Sequence, residues 1–286
     1  MHRLKFSLAV LIICYQQLFA QNTDRLFFKE YYSDNQAQGM TTIDGINFIW
    51  TADISADGKH VYTCGGVANV ASGGEDDNAI AVFVRNQTTG ELTFVQVLFD
   101  NQDSGIADGL FSCRDVKVSP DGKHVYSAGS GDHTLGIFSR NSMSGQLTYL
   151  SSIKDGVGGV DGLAGLQSLA FNTSGTRLLA VGRTDDAIVL FTRDPVTGSL
   201  TFEDMKKNGL AGVTGLDRPI SVSVSPDGKH VYTASGSNVN FSGSDALTVF
   251  SINESTDNLN FVASYFEGQS QGMQTIDGLD QVTAVK

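Results

Sequence analysis

Residues Ser119–Tyr126 read S-P-D-G-K-H-V-Y, and this string decides the fold because it recurs. Nearly identical strings occupy Ser55–Tyr62 and Ser225–Tyr232, and a degenerate copy occupies Asn172–Leu179. Thirteen residues before the turn position of each copy lies a shared start, which is most often Asp-Gly-Leu. The starts are Asp44, Asp108, Asp161 and Thr214, with a fifth at Asp277. Self-similarity at such a spacing is the signature of a repeat architecture.

Each repeat predicts four β-strands. The first has period-two alternation of apolar residues, as at Val116 and Val118. Pro-Asp-Gly then predicts a tight turn, and Lys-His-Val-Tyr begins the second strand. The third strand ends in Phe, nine residues before the Leu of the fourth strand. These third strands are Ala79–Phe83, Leu135–Phe138, Ala187–Phe191 and Ala246–Phe250, and the fourth begin at Leu92, Leu147, Leu200 and Leu259.

Four antiparallel strands in each of several similar repeats predict an all-β fold, a β-propeller made of four-stranded blades. The alternative is a β-solenoid, whose rungs would be shorter and would lack the paired hairpin turns. Helical periodicity is absent from the whole sequence. We therefore expect residues 21–286 to form one propeller domain, with repeats starting near 44, 108, 161, 214 and 277.

The repeat pattern G-L-x(n)-S-V-x-V-S-P-D-G-K-H-V-Y, followed by L-x-V-F-S-R-x-x-x-x-G-x-L-T-F, resembles the lactonase-type β-propeller repeat. That family includes 6-phosphogluconolactonase-like and carboxymuconate-cyclizing proteins, and the resemblance covers roughly residues 26–286. The resemblance implies a seven-bladed propeller. The sequence holds four complete blades plus partial terminal strands, so we expect a fragment of such a propeller that forms an open arc. A self-sufficient small ring is the alternative.

The first twenty residues resemble a secretory signal peptide. Arg3 and Lys5 precede an apolar stretch at Leu8–Cys14, and a small residue, Ala20, ends the segment. Its removal makes the formal charge of −12 two units more negative. A chain this acidic should repel nucleic acid and anionic membranes. We expect a secreted or periplasmic protein with no nucleic-acid partner and no membrane insertion after signal removal.

Cysteine usage is sparse, because Cys14 leaves with the signal and only Cys64 and Cys113 remain. We expect two small buried thiols, and a disulfide between them is the alternative. The sequence contains no G-x-S-x-G elbow, H-E-x-x-H, Walker loop or G-x-G-x-x-G. Nucleophilic, zinc-hydrolase and nucleotide-dependent chemistries therefore have no support from motifs.

One position near the start of the inner strand breaks the repeat and should line the mouth of the central channel. The residues at this position are Trp50, Arg114, Gln167, Ile220 and Thr283, with Asp115 and Arg218 beside it. The family resemblance implies that a small anionic substrate is held at this mouth by Arg and His. The catalytic candidates are Arg114, His133, Arg183 and Arg218, and the ligand-binding candidates are Trp50, Arg114, Asp115 and Gln167. Ion pairing between blades is the alternative role for the charged residues.

The connections between the second and third strands vary most, and they should lie on the same face as the mouth. Those of the first and fourth repeats are longer than the others by nine and six residues. Glu75, Asp76 and Asp77 in the first are candidate Ca²⁺ ligands, but no complete calcium loop is present, so we expect no resident cofactor. His60, His124 and His230 recur at one place in the repeat and are interpreted as structural.

Two functions remain open on this sequence. The first is a non-catalytic exported scaffold that binds a protein, a glycan or a small molecule through its variable loop face. The alternative is a lactone-hydrolysing enzyme, as the family resemblance implies.

Overall fold

The protein was analysed as a computed structural model, and the description covers 31–66, 77–100, 107–236, 245–272, 274–277, 279 and 284–285. The predicted signal peptide, Glu75 and Asp76 lie outside the described residues. Every regular element in the described part is a β-strand, and none of its segments is a helix that could cross a membrane. The all-β prediction is confirmed.

Sixteen strands form four antiparallel sheets, and each sheet is one predicted repeat. Blade 1 contains β3 (Ile49–Ile54), β4 (His60–Gly65), β5 (Ala79–Arg85) and β6 (Leu92–Phe99). Blade 2 contains β7 (Cys113–Val118), β8 (His124–Gly129), β9 (Thr134–Arg140) and β10 (Leu147–Lys154). Blade 3 contains β11 (Leu166–Phe171), β12 (Arg177–Gly182), β13 (Ala187–Arg193) and β14 (Leu200–Lys207). Blade 4 contains β15 (Pro219–Val224), β16 (His230–Ser235), β17 (Ala246–Asn253) and β18 (Asn258–Phe266).

Two short ladders flank the blades. They pair β1 (Ala37–Gln38) with β2 (Thr41–Thr42), and β19 (Ser270–Gln271) with β20 (Gln274–Thr275). Extensive packing links blade 1 to blade 2, blade 2 to blade 3, and blade 3 to blade 4. Within the described part of the chain no comparable packing joins blade 4 to blade 1, so these blades form an arc rather than a closed ring.

Three of the four hydrophobic core clusters lie between blades, and the fourth lies between blade 1 and residues 32–46. One cluster joins Ile80 and Val82 of blade 1 to Leu110, Val116 and other side chains of blade 2. Two further clusters join blade 2 to blade 3 and blade 3 to blade 4. Each sheet therefore depends on its neighbour to remove its apolar face from water.

A buried group of hydrogen-bonded side chains explains why Asp, His and Tyr recur in the repeat. It joins Asp, His and Tyr of one blade to Arg of the next, and it is called the clamp below. Arg140 at the end of β9 donates to Tyr62 Oη at 2.7 Å, to both carboxylate oxygens of Asp57 at 3.2 Å, and lies 2.7 Å from His60 Nδ1. Burial, and then the charge of Arg140, lower the pKa of His60, so its neutral ring can accept this hydrogen bond. The predicted structural role of the recurrent histidines therefore holds for His60.

The hairpin glycine of each following blade belongs to the same contact. Gly145 has a φ of +79°, and a Cβ there would lie 2.2 Å from the His60 ring. Tyr62 donates to the Gly145 carbonyl at 2.9 Å. The tight gap before the fourth strand is thus set by packing against the preceding blade. The next interface repeats these contacts, and its members are Asp121, His124, Tyr126, Arg193 and Gly198.

At the interface between blades 3 and 4, other residue types occupy the clamp positions. Blade 3 carries Arg177 where the others carry His, and blade 4 carries Asp257 where the others carry the hairpin Gly. Arg177 Nε donates to Asp257 Oδ1 at 2.7 Å. Leu179 takes the place of the clamp tyrosine, and Ile252 takes that of the clamp arginine. The degenerate copy therefore pairs with a blade that is altered at the matching positions.

Inner strands are protected along their free edge by side chains from the preceding blade. Asp115 Oδ2 accepts from the amide of Leu169 at 2.9 Å, and Ser168 Oγ accepts from the amide of Val222 at 3.4 Å. Asp53 Oδ2 accepts from the amide of Val118 at 2.7 Å. A strand edge with unmet backbone donors is costly, and these bonds satisfy it without another strand.

Cys64 and Cys113 form a disulfide, so the expectation of two free thiols is wrong. Both residues are fully buried, Cys64 near the end of β4 and Cys113 at the start of β7. Their Cα atoms lie 5.7 Å apart, which is within the usual range for a bridge. The disulfide ties blade 1 to blade 2 beside the mouth.

Substituting Arg193 by Ala tests the clamp. Its side chain is almost fully buried and holds Tyr126, Asp121 and His124 together, so its loss should lower the free energy of unfolding by about 2–4 kcal/mol. Urea denaturation followed by circular dichroism measures the change. Lys123→Ala, an exposed change in the adjacent turn, should stay within about 0.5 kcal/mol and serves as the control. An equal effect of the two variants would contradict the clamp.

Candidate functional site

The position that breaks the repeat is a β-bulge in every blade. The register between the first two strands shifts between Ile49 and Thr51, and again at the same place in the other three sheets. A bulge leaves one residue out of the ladder and turns its side chain away from the regular pleat. The residues so placed are Trp50, Arg114, Gln167 and Ile220. Four of the five predicted mouth residues therefore occupy one equivalent position, their role in binding stays a prediction, and Thr283 lies outside the described residues.

The residue before each inner strand has a left-handed backbone. Its φ is +56° at Phe48, +54° at Ser112, +67° at Gly165 and +54° at Arg218. Non-glycine residues rarely adopt this conformation, and it persists where surrounding contacts enforce it. The same turn therefore precedes the inner strand of every blade.

His133 has a structural role that the sequence did not reveal. Its Nδ1 accepts from the amide of Gly165 at 3.0 Å. Asn78 Oδ1 accepts from the amide of Ser112 at 2.7 Å, and Asp186 Oδ1 accepts from that of Arg218 at 2.8 Å, at equivalent positions. The three side chains therefore hold the left-handed turns of the following blades. This geometry argues against the prediction that His133 is catalytic.

Three arginines lie close enough together at the mouth for their charges to interact. Burial, and then the charge of Arg183, lower the pKa of Arg114; burial, and then the charge of Arg218, lower the pKa of Arg183. Arg114 Nε and Arg183 Nε are buried and have no hydrogen-bond partner among the described residues. Like charges placed together with unmet donors are stabilised when an anion binds between them. Arg114, Arg183 and Arg218 are called the arginine cluster below.

Trp50 extends the arginine cluster with an aromatic surface. The Arg114 guanidinium lies 4.0 Å from the centre of a Trp50 ring, a cation–π contact. Trp50 Nε1 donates to the Gly66 carbonyl at 2.9 Å, which fixes the indole, yet the residue stays 53% exposed. The predicted ligand-binding pair of Trp50 and Arg114 is therefore accessible at the surface.

A cavity of about 330 Å³ adjoins the cluster. Its lining is Arg183, Thr184, Asp186, Asp217 and Arg218. It holds two carboxylates and two guanidinium groups, so it combines anion-binding and proton-accepting groups in one small volume.

Asp115 and Gln167, two predicted ligand-binding residues, are engaged by the protein. Asp115 is 5% exposed, accepts from the amide of Leu169, and pairs with Lys117 at 3.0 Å. Gln167 Nε2 donates to Ser130 Oγ at 3.1 Å. The ion pair of Asp115 lies within blade 2, and its contact with blade 3 is the hydrogen bond from the Leu169 amide, so the alternative of ion pairing between blades does not describe it. These residues support the mouth rather than face a ligand.

Carboxylates gather in three groups near the loops that precede the inner and third strands. Asp77, a predicted metal candidate, lies with Asp34 and Asp44, and the ligand atoms of each group are within 4.8 Å of one another. The other two groups are Asp100, Asp108 and Asp132, and Asp155, Asp161 and Asp185. Each could offer oxygen ligands to a cation.

In the third group, a lysine side chain already pairs with one of the carboxylates. Lys207 Nζ lies 3.2 Å from Asp185 Oδ1, and the charges of Asp185, Asp161 and Asp155 help to raise the pKa of Lys207. In the second group, burial first and then the charges of Asp100 and Asp108 raise the pKa of Asp132 to about 7. In the first group, burial and then the charges of Asp34 and Asp44 raise the pKa of Asp77 to about 6. A hydrogen bond from the Asn47 amide opposes this rise. These carboxyls therefore take up protons far above their ordinary range.

Comparison with known proteins identifies the architecture. The family model described as "Lactonase, 7-bladed beta-propeller" matches residues 34–161 and 115–214, which together span more than half of the chain. A crystal structure of a protein from Bacteroides uniformis, described as a candidate 6-phosphogluconolactonase, is similar with a TM-score of 0.56 and 20% identity, covering 76% of this chain and 55% of its own. No curated protein matches the sequence.

A second solved structure, of a protein from Lactobacillus plantarum, is similar with a TM-score of 0.57 and 16% identity. The similarity covers 82% of this chain and 57% of that one. The present chain thus spans a little over half of the length of both structures. At these identities the likeness concerns the fold alone.

Asp132→Asn tests the carboxyl group of blade 2. The raised pKa means that Asp132 favours the folded state at low pH, and that this contribution is lost as pH rises through about 7. The variant, which never ionises, should raise the melting temperature more at pH 8 than at pH 5. Differential scanning calorimetry at the two values measures this, and a variant that is less stable at pH 8 would contradict it.

Trp50 is the single tryptophan of the chain, so its fluorescence reports on the mouth directly. Titration with inorganic phosphate should change the emission saturably, because the anion binds beside the Arg114–Trp50 stack. Arg183→Ala should weaken this response about tenfold or more. Lys154→Ala, which removes an exposed cation elsewhere on the surface, should leave it unchanged. A chloride titration at matched ionic strength must give no response.

Proposed function

Because the chain belongs to the lactonase family of seven-bladed β-propellers, we propose that it hydrolyses a lactone that carries an anionic group at the mouth of its channel. The observation that supports this most is the arginine cluster, whose buried Nε atoms at Arg114 and Arg183 have no partner in the described part of the chain. A protein with a formal charge of −12 gathers three guanidinium groups at this one place. Such a local concentration of positive charge attracts an anion, although the rest of the molecule is negatively charged and repels it.

The chemistry requires a water that attacks the lactone carbonyl and a group that takes the proton. We assign the second role to Asp217, which lines the cavity together with Arg183 and Arg218. The water oxygen bonds to the carbonyl carbon and one water proton passes to Asp217. The ring C–O bond then breaks, and Asp217 returns the proton to the departing ring oxygen. The product is a hydroxy acid. Guanidinium groups near the carbonyl oxygen stabilise the negative charge that develops there.

Export is part of the proposal. The Cys64–Cys113 disulfide supports it, because such bonds form and persist in oxidising compartments. The substrate would then be an extracellular or periplasmic lactone. The Bacteroides uniformis protein's description names a phosphorylated sugar lactone, whereas a carboxylate would also satisfy the arginine cluster.

A non-catalytic binding role is the second candidate. It is favoured by Asp115 and His133, since polar residues that the sequence placed at the mouth are occupied by contacts between blades. Under this reading the exposed Trp50 and the arginine cluster hold an anionic ligand without turning it over.

Hydrolysis of a panel of neutral, carboxylated and phosphorylated lactones distinguishes the two functions. We expect turnover of the anionic members. Asp217→Asn should reduce kcat about 100-fold or more while ligand-dependent Trp50 fluorescence is retained. Arg183→Ala should mainly raise KM. Glu254→Gln, an exposed carboxylate far from the cavity, is the matched control.

Retained fluorescence binding without turnover of any lactone would reject the enzyme and leave the binding role. Turnover that survives Asp217→Asn would reject the assigned base. Neither turnover nor binding would reject both candidates.

A further inference from the structure

The disulfide between blades 1 and 2 is attached to both strands that carry the stack of Arg114 on Trp50. Cys113 directly precedes Arg114, the bulged residue of β7. In blade 1, Cys64 pairs with Thr51 in the ladder between β3 and β4, and the bulged Trp50 directly precedes Thr51. The two halves of the stack belong to different blades, so the disulfide limits how far apart their strands can move.

The chain just after Cys64 also holds the indole. Trp50 Nε1 donates to the Gly66 carbonyl at 2.9 Å, and the Gly66 amide donates to the Phe48 carbonyl at 3.1 Å. A Cβ on Gly66 would collide with the side chain of Asn78, so this segment is closely packed. Trp50 is therefore fixed to the end of β4, and the disulfide joins that end to β7.

Arg114 needs a restraint because its surroundings oppose its charge. Burial, and then the charge of Arg183, lower the pKa of Arg114, so the free energy of its charged form is raised at this place. Ordering a long arginine side chain also costs conformational entropy. Contacts that hold Arg114 in position before a ligand arrives reduce the cost of binding that ligand.

The blades do not need a disulfide at this position in order to pack. Between blades 2 and 3 the matching residues are Ala128 and Leu166, and both are fully buried in one apolar cluster. Between blades 3 and 4 the matching residues are Val181 and Pro219, which are also buried. Apolar side chains therefore fill this position at two of the three interfaces.

The disulfide and the stack occur at the same interface. The bulged residue of blade 3 is Gln167 and that of blade 4 is Ile220, and neither has a charge or a ring. The other two interfaces therefore cannot place a cation on a ring at this position. A covalent bond that coincides with the stack, and gives way to apolar residues elsewhere, indicates a local role at the mouth.

Resting on the anion site of the proposed function, we propose that the Cys64–Cys113 disulfide is a positioning element of that site, which holds Arg114 against Trp50 before a ligand arrives. The apolar cluster between blades 1 and 2 provides the packing of this interface. The disulfide acts on ligand affinity through Arg114. Its loss should therefore weaken anion binding in a chain that is still folded.

Two variants of the full chain test the proposal. Cys64→Ala with Cys113→Ala removes both sulfur atoms, and Cys64→Ala with Cys113→Leu supplies the residue types that pack between blades 2 and 3. Each should fold, as judged by circular dichroism, and bind inorganic phosphate about tenfold more weakly. Without phosphate, acrylamide should quench Trp50 about as readily as in Arg114→Ala with the disulfide intact. Dividing by the fluorescence lifetime corrects this comparison for changes in emission that the lost sulfur atoms cause.

A double-mutant cycle separates positioning from general loosening of the interface. Arg114→Ala should weaken phosphate binding in the native chain but change it little once the disulfide is absent, because both changes remove the same contact. Leu147→Ala is the matched control. Leu147 is buried in the same apolar cluster at the start of β10, the end of the sheet away from the mouth. This control should lower the melting temperature and leave phosphate affinity and Trp50 quenching unchanged.

Phosphate affinity and Trp50 quenching that do not change without the disulfide overturn the proposal, and so does full additivity with Arg114→Ala. If neither cysteine variant folds, the bond is required for the fold itself and the proposal is also overturned. A native chain that binds no phosphate would reject the anion site of the proposed function. The acrylamide comparison in the free protein would then still decide whether the disulfide holds Arg114 on Trp50.

Discussion

A four-stranded blade cannot bury its own faces, and every other feature of this protein follows from that constraint. Three of the four apolar clusters lie between sheets, and the fourth lies between blade 1 and the segment that precedes it, so each blade depends on a neighbouring part of the chain to cover its faces. The polar clamp adds specificity to this packing. A buried guanidinium such as that of Arg140 needs Asp57, His60 and Tyr62 together, because an unpaired charge at that depth would be strongly destabilising. Where one half changes, as at Arg177, the other changes to Asp257.

Much of the fold could be predicted because local and repeat signals agree. The recurrent turn and the alternating apolar residues fix strand positions within a few residues. The sequence could not show why His60 recurs, since its partner Arg140 comes from the next repeat. The pairing of Cys64 with Cys113 was also missed, because the sequence does not show which residues of two different blades lie within bridging distance.

The candidate site residues stay predictions, and the structure adds to them for a physical reason. Trp50 and Arg114 were selected because an odd residue at an equivalent position can be recognised when the repeats are compared. The structural contact of His133 could not be recognised, because its equivalents, Asn78 and Asp186, differ in chemical type although all three accept from a backbone amide. A role filled by three unlike side chains leaves no pattern to detect. Arg114 lies in β7 of blade 2 and Arg183 follows β12 of blade 3, so their proximity depends on how two blades pack.

The bulge near the start of each inner strand places a variable side chain on a backbone that is the same in all four blades. The ladder around it and the turn before it are the same in all four blades, while the bulged side chain varies from indole to guanidinium, amide and alkyl. These few bulge positions can therefore be substituted, by evolution or by design, without disturbing the scaffold. A combinatorial library confined to them would explore new ligand preferences on a frame that keeps its shape.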